Sequence, residues 1–193
     1  MHNILFEDHT FSRLRPLALS TPTYEIRCGM FNTRERLELV DPGNNGLVLC
    51  REILRPLHTT PDWSWTSAAL PDRSLWLNGR LAPNMELVAK LEGLRTSDWV
   101  FSDENGLLAA SLPTNTGTML LNSWQAWEQT AWSGDTWQIP RDIAGLPAPE
   151  LGSHGPNLFS WFAARVTGSY TPFAGQTPKG PPTPAAVPFS GFT

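Results

Sequence analysis

Arginine is concentrated near the beginning of this sequence, where it could bind an anion. Seven of the fourteen Lys and Arg residues lie between Arg13 and Arg55, and all seven are arginine. The stretch 14–37, LRPLALSTPTYEIRCGMFNTRERL, contains four of them. Arginine presents a planar fork of N–H donors that matches the oxygens of a phosphate. The pattern indicates either a local site for a phosphorylated ligand, with Arg15 as the best anion-contact candidate, or a surface of ion pairs.

Standard catalytic signatures are absent from the sequence. There is no GxGxxG, P-loop, GxSxG or HExxH motif, and the four histidines are far apart. Cys28 and Cys50 are too few for a disulfide scaffold and lack metal-ligand spacing, so we interpret both as reduced, buried thiols. Any chemistry must therefore come from Arg, Asp and Glu side chains.

Composition limits the classes of function. A chain of 193 residues with 40% hydrophobic side chains can bury one substantial core, and a single α/β domain is expected. Its net charge of -4 argues against a general basic surface for nucleic acid. No segment approaches the ~20 apolar residues of a membrane span. We expect a cytoplasmic protein that binds neither nucleic acid nor membrane.

Apolar runs of strand length recur along the first half of the chain. Residues 3–6, 47–50 and 75–77 are each predicted to be a buried strand, and the first ends on the carboxylate pair Glu7 and Asp8. DWVFSDENGLLAASL indicates two further strands joined at Asn105-Gly106, a common hairpin signal. Chemistry in α/β folds often sits at strand ends. The alternation with helical segments favours a mixed α/β sheet.

Helical segments lie between and after these strands. Asn32 can cap a helix that has Glu35 at the capping-box position. Residues 85–94, MELVAKLEGL, repeat leucine and valine at helical spacing. In residues 122–137, Trp124, Trp127 and Ala131 fall on one helical face, and we interpret the nine tryptophans of the chain as packing residues.

The end of the chain differs in composition. From residue 171 it contains six prolines, three glycines and a single charge, which is typical of a flexible tail or linker. We therefore divide the chain into a domain at 1–170 and a Pro/Gly-rich tail at 171–193. Phe173, Phe189 and Phe192 could dock the tail on a protein partner.

Four segments together resemble a known family. ILFED, RPLALSTPTYEIRCGMFNTRERL, LWLNGRLAPNMELVAKL and GLLAASLP resemble, in order and spacing, the N-terminal domain of sugar nucleotidyltransferases related to N-acetylglucosamine-1-phosphate uridyltransferase. The resemblance covers roughly residues 3–113. It is most specific in a "PL…RP…E-[IL]-R-x-G" pattern followed by a helix with "RE", matched here by Pro16, Leu17, Pro22, Glu25, Ile26, Arg27, Gly29, Arg34 and Glu35.

The resemblance implies a fold and a reaction. The fold is a Rossmann-like three-layer α/β/α nucleotidyltransferase-type domain with a mixed sheet, which binds a nucleoside triphosphate and a sugar 1-phosphate. A sugar-phosphate oxygen attacks the α-phosphorus of the nucleotide and releases pyrophosphate. Positioning and charge neutralisation carry most of such a transfer, and an active member would use Mg²⁺.

The sequence departs from the family pattern at three places. The segment FEDHTFSRLRP has no glycine where the family has a glycine-rich loop, and Thr21 replaces a frequent arginine. In LNGR, Arg80 occupies the position of the carboxylate that holds Mg²⁺ in active members. Glu7, Asp8 or Asp103 could supply a metal carboxylate instead, or could be solvated loop acids.

These comparisons yield a set of candidate site residues. Arg15 and Asp8 are the candidates for catalysis, and the metal ligands are left open. The candidates for substrate binding are Arg13, Arg27, Asn78 and Arg80. Two of these residues could instead have a purely structural role. Arg27 could form a salt bridge with Glu25 or another nearby acid, and Asn78 could serve simply to form the strand-end turn with Gly79.

Three functions follow, in decreasing order of support. The first is a nucleotidyltransferase-like protein that binds a nucleoside triphosphate or nucleotide sugar, with or without remaining catalysis. The alternative is a non-catalytic interaction or scaffold protein that retains the fold. A carbohydrate-binding module is the third, and it rests on tryptophans such as Trp63 and Trp65 alone.

Overall fold

The computed structural model describes residues 2–27, 30–40, 42, 46–65, 69–70, 72–81, 90–91 and 93–149. Its strands are β1 His2–Phe6, β2 Gly46–Leu49, β3 Trp63–Ser64, β4 Ser74–Asn78, β5 Trp99–Asp103 and β6 Gly106–Leu112. Its α-helices are α1 Thr33–Val40, α2 Arg55–His58, α3 Thr114–Glu128 and α4 Arg141–Ala144. Three short 3-10 helices, His9–Leu14, Leu17–Leu19 and Thr23–Glu25, lie in the connection from β1 to α1.

The six strands form one mixed sheet in the order β3-β2-β1-β4-β6-β5. The first four are parallel, and β5 with β6 forms an antiparallel hairpin on the other side of β4. Phe6, the last residue of β1, lies opposite both Leu49 of β2 and Asn78 of β4. The segments that follow these three strands therefore begin at the same edge of the sheet.

Alternating side chains of the strands build a core on each face of the sheet. In β1, Leu5 joins a cluster on one face, whereas Ile4 and Phe6 join a cluster on the other. Helix α1 covers the first cluster with Leu37, and α3 covers the second with Trp124. The arrangement is three layers with a mixed sheet in the middle, so the predicted α/β/α fold class is confirmed.

The tryptophans that the structure describes serve mainly to pack these cores, as predicted. Trp63, Trp76 and Trp124 are fully buried. The ring of Phe6 meets Trp76 edge-on, with centroids 5.8 Å apart, and meets Trp137 at 5.6 Å. Edge-to-face contacts of this kind suit the charge distribution of aromatic rings. Because Trp63 lies inside the core, it is not available as a sugar-stacking surface.

The predicted strands are confirmed, whereas the bounds of the long helix were wrong. Helix α3 begins at Thr114, not at residue 122, and ends at Glu128, well before Trp137. Its first turn contains residues of low helix propensity, and for this reason the sequence pattern did not predict the beginning of the helix. Packing overrides that weakness, since a Cβ on Gly117 would lie 2.7 Å from Ser74 Oγ on β4. Small residues let the helix approach the sheet closely.

Several other predictions concern residues that lie wholly or partly outside the described ranges. The helix expected at 85–94 falls largely outside the described residues, as do the tail at 171–193 and Cys28. Cys50 is a buried free thiol, as predicted, and burial raises its pKa to about 11. Within the described ranges, no helix is both long and apolar enough to cross a membrane.

Candidate functional site

Polar side chains collect at the edge of the sheet where the parallel strands end. Asp8 follows β1 by two residues, and Asn78 is the last residue of β4. Strand order reverses at β1, because the chain passes first to β2 on one side and later to β4 on the other. Ligands of open α/β sheets bind in the crevice outside such a point. We call this region the carboxyl edge.

Asp8 is held at the carboxyl edge by hydrogen bonds to both carboxylate oxygens. It caps the 3-10 helix His9–Leu14, with Oδ1 accepting from the backbone N–H of Thr10 at 2.9 Å and from the Thr10 hydroxyl. Its Oδ2 accepts from Asn78 Nδ2 at 2.6 Å. The residue is 1% exposed. Asp8 therefore joins the end of β1 to the end of β4.

Asn78 connects three segments through one buried amide. Besides Asp8, its Nδ2 donates to the carbonyl of Leu107 in β6 at 2.8 Å, and its Oδ1 accepts from the backbone N–H of Arg80 at 3.0 Å. Gly79 follows, and a Cβ there would lie 2.3 Å from the backbone nitrogen of Tyr24. The turn after β4 is thus fixed by the Asn78 side chain and by a close approach that only glycine permits.

Arg80 forms a two-armed ion pair with Asp103. Its Nη1 donates to Oδ2 at 2.7 Å and its Nη2 to Oδ1 at 2.8 Å, while Nη2 also reaches the carbonyl of Gly106 at 3.2 Å. Its Nε faces Asp8 Oδ2 at 3.6 Å. Burial disfavours the charged form of Arg80, but Asp103 and Asp8 outweigh it and raise its pKa. The guanidinium is therefore charged and lies between two acids.

The hairpin between β5 and β6 forms the outer rim of the site. Asp103 Oδ1 also accepts from the backbone N–H of Asn105 at 2.8 Å. Asn105 Oδ1 in turn accepts from Arg13 Nη1 at 2.6 Å. Gly106 has a φ of 119°, a left-handed value that favours glycine. This turn carries the chain back into β6 and places Asn105 within reach of Arg13.

His9 lies beside this network without a partner for one ring nitrogen. Among the described residues, nothing hydrogen-bonds the buried Nδ1. Burial lowers the pKa of His9, and the positive charges of Arg80 and Arg13 lower it further, while Asp8 opposes them. A Cβ on Gly106 would come within 3.8 Å of its Cε1, so the ring lies against the hairpin. On balance, the charged form of the imidazole is disfavoured at this position.

Two of the predicted site residues make no described contact with this network. Arg15 is exposed and has no hydrogen bond or ion pair to any residue that the structure describes. Arg27 is also exposed and donates to Glu35 at 2.7 Å and to the carbonyl of Met30 at 2.8 Å. Its contacts match the salt-bridge alternative and belong to the beginning of α1. The structure thus brings Asp8, Arg13, Asn78 and Arg80 together.

Glu7 lies in a separate buried ion pair that the sequence reasoning missed. Its Oε1 accepts from Nε of Arg51 at 2.7 Å and from the backbone N–H of Arg51 at 2.8 Å, and both side chains are 0% exposed. Burial raises the pKa of the Glu7 carboxyl, and the contacts with Arg51 oppose this rise. Glu7 is a structural residue here, not a loop acid. The parallel order of β1 and β2 could have indicated the pair, because both residues follow strands that end at one edge.

The acids of the carboxyl edge do not fit a Mg²⁺ ion. Each oxygen of Asp8 and Asp103 already accepts at least one N–H hydrogen bond. Across the described ranges, no group of three or more His, Cys, Asp or Glu side chains could hold a metal ion. Mg²⁺ requires several oxygen ligands in an octahedron. What the edge offers to a ligand is instead the exposed positive charge of Arg13.

Comparison with known proteins gives one match and one negative result. Residues 3–142, well over half of the chain, match the model of a family described as sugar nucleotidyl transferase. A search of curated proteins gives no match. Apart from His2, the first residue of β1, the matched range contains all six described strands and the polar network at the carboxyl edge.

Proposed function

The chain belongs to the sugar nucleotidyl transferase family, and we propose on this basis that it binds a nucleoside triphosphate or a nucleotide sugar at the carboxyl edge of the sheet. The proposed ligand carries two or more phosphates. It would lie outside the ends of β1 and β4, where the order of the strands reverses.

Two exposed arginines on the loop after β1 carry the proposal. Arg13 donates to the neutral amide of Asn105, and Arg15 has no partner within the described ranges, so no described carboxylate neutralises either charge. A phosphate could accept two parallel hydrogen bonds from each guanidinium. Arg13 and Arg15 are therefore the proposed phosphate contacts, with Arg15 as the more available.

The buried members of the network act differently in this proposal. Asp8 and Asn78 position the segment that carries the arginines, because they tie its beginning to the end of β4 and the beginning of β6. Arg80 holds the hairpin through Asp103. We assign these three residues to positioning, and the phosphate-binding role to Arg13 and Arg15. Arg27 has no part in the site.

Isothermal titration calorimetry with UTP, dTTP and UDP-N-acetylglucosamine tests the proposal. The full chain should bind at least one of them, and the Arg13→Ala/Arg15→Ala double variant should bind it at least tenfold more weakly. Arg141→Ala is the matched control, because Arg141 is an exposed arginine with no described contact to the carboxyl edge. Failure of all three ligands to bind would overturn the proposal, as would equal losses in the double variant and the control.

The second candidate is a protein that binds the nucleotide without transferring it. The observation that favours it is the position of Arg80 between Asp8 and Asp103, where the guanidinium forms an ion pair with each carboxylate. Pyrophosphate release from UTP and N-acetylglucosamine 1-phosphate separates the two candidates. Binding with release supports a transferase, and binding without release supports a non-catalytic protein.

For a protein partner held by the tail, a pull-down with and without residues 171–193 is the test.

A further inference from the structure

The two acids of the carboxyl edge share one guanidinium. Arg80 lies between Asp103, which it contacts through both Nη atoms, and Asp8, which its Nε faces at 3.6 Å. Its side chain is 11% exposed, against 1% for Asp8 and 27% for Asp103. The three groups therefore form one compact cluster in which the positive charge is the central member.

Other donors also hydrogen-bond each carboxylate. Asp8 accepts from Thr10 on one oxygen and from Asn78 on the other. Asp103 accepts from the backbone N–H of Asn105 in addition to Arg80. Each oxygen of the two carboxylates therefore already accepts at least one hydrogen bond. A metal ion would have to displace these donors before it could bind.

The backbone around Arg80 keeps the guanidinium in place. Its own N–H is bound by Asn78 Oδ1, and its Nη2 also donates to the carbonyl of Gly106. The turn that carries it cannot shift toward Tyr24, because Gly79 already makes the closest approach there. A cation that approached the two acids would meet a fixed positive charge. Coulomb repulsion at this range in a half-buried site is substantial.

We infer that Arg80 is a built-in cation that takes the place of a divalent metal ion between Asp8 and Asp103, so that ligand binding at the carboxyl edge does not depend on Mg²⁺. The inference disagrees with the cofactor that the family resemblance implies. The cluster carries one positive and two negative charges, which leaves a single net negative charge, while Arg13 on the rim contacts only the neutral amide of Asn105 and keeps its own charge for a ligand. Phosphates would then be neutralised by arginine alone.

Mn²⁺ is the probe for the first part of the inference, and it requires no nucleotide. Electron paramagnetic resonance counts free Mn²⁺, and proton NMR of the His9 imidazole detects a paramagnetic ion beside Asp8. In the wild-type full chain, 1 mM Mn²⁺ should leave the His9 signals unbroadened. Broadening of these signals at micromolar Mn²⁺ would overturn the inference, even if no variant could be prepared.

Variants locate any ion that does bind. If electron paramagnetic resonance detects bound Mn²⁺ in the wild type while the His9 signals stay sharp, an affinity that is unchanged in both Asp8→Asn and Asp103→Asn places the ion elsewhere and the inference holds. A tenfold loss of affinity in either variant contradicts it. Arg80→Gln, which removes the charge, should create Mn²⁺ binding that the wild type lacks. Continued absence of binding in a folded Arg80→Gln protein would show that Arg80 is not what excludes the metal.

The second part rests on the proposed function and is measured separately. The Kd for UDP-N-acetylglucosamine should agree within threefold in buffer with EDTA and in buffer with 5 mM Mg²⁺. A tenfold gain with Mg²⁺ would overturn the inference while leaving the proposed function intact. If no nucleotide binds in either buffer, the proposed function fails and the Mn²⁺ result still decides the inference.

Discussion

Arg80 and Asp103 are joined by two parallel hydrogen bonds, of 2.7 and 2.8 Å, between the turn after β4 and the last residue of β5. The pair ties the central parallel strands to the antiparallel hairpin at one end of the sheet. Two-armed arginine–carboxylate pairs fix geometry as well as charge. The consequences can be measured as stability and as pH dependence.

Removal of the Arg80 side chain should destabilise the protein. Arg80→Ala leaves Asp103 and Asp8 without their shared positive charge, and we expect a loss of about 2–3 kcal/mol in the free energy of unfolding. Arg80→Lys should lose less, since an ammonium keeps the charge but not the fork. Urea denaturation followed by tryptophan fluorescence measures both. Arg141→Ala should stay within about 0.5 kcal/mol of wild type. An Arg80→Ala protein as stable as that control would refute the structural role.

Asp103 should make stability depend on pH in the acid range. Burial would raise the pKa of Asp103, but Arg80 and Asn105 outweigh it and hold the pKa below its usual value of 3.8. As pH falls below about 4, the unfolded chain takes up the proton first, so stability from this group is present above pH 4 and lost below. Denaturation experiments between pH 2.5 and 6 measure the free energy of unfolding of wild type and of Asp103→Asn. The difference between these two free energies should become smaller below pH 4. A difference that stays constant over this range contradicts the prediction.

His9 should titrate below the usual range of histidine. Its folded pKa is depressed from 6.5, mainly by burial and further by Arg80 and Arg13. The unfolded chain therefore binds the proton first as pH falls, and the associated stability is present above pH 6.5 and lost below it. NMR titration, with the signals assigned by His9→Gln, should give a midpoint under 6.5. Arg13→Ala should move the midpoint upward, and a midpoint at or above 6.5 in wild type would be the contrary result.

The buried pair of Glu7 and Arg51 should respond differently to single and double substitution. Arg51→Met leaves a buried carboxylate without its main partner and should cost about 3–5 kcal/mol. Glu7→Gln combined with Arg51→Met removes both charges and should recover a large part of that loss. Thermal unfolding of the two proteins, beside wild type, measures the recovery. If the double variant loses as much stability as Arg51→Met alone, or as much as the two single substitutions added together, the charges do not interact as the structure shows.

The strands could be predicted from the sequence because burial leaves a direct mark on it. In β1 and β4, apolar side chains alternate between the two cores, and both runs end at a polar residue that marks the edge. The capping box of α1 could be predicted equally well. Asn32 Oδ1 accepts from the backbone N–H of Glu35 at 2.8 Å, and Glu35 Oε2 accepts from the backbone N–H of Asn32 at 2.9 Å. These features depend on residues close together in the chain.

The partners within the candidate site could not be predicted in the same way. Arg80 and Asp103 meet only because β4 pairs with β6 and β6 pairs with β5. The pairing of β5 and β6 also shifts register between Phe101 and Ser102. Such a shift decides which side of the strand each later residue occupies. The sequence shows the residue types, but register determines whether Asp103 faces an arginine or solvent.

The side chain of Asn78 sets an order for the assembly of the site. It bonds Asp8, 70 positions earlier, and Leu107, 29 positions later. Contacts between such distant residues form after local structure, because closing long loops costs entropy. We expect a low Φ-value for folding at Asn78, measured with Asn78→Ala; a value near 1 would contradict this order. During synthesis, Asp8 and β1 leave the ribosome long before β6. A nascent chain would therefore carry the four described parallel strands while the carboxyl edge was still incomplete.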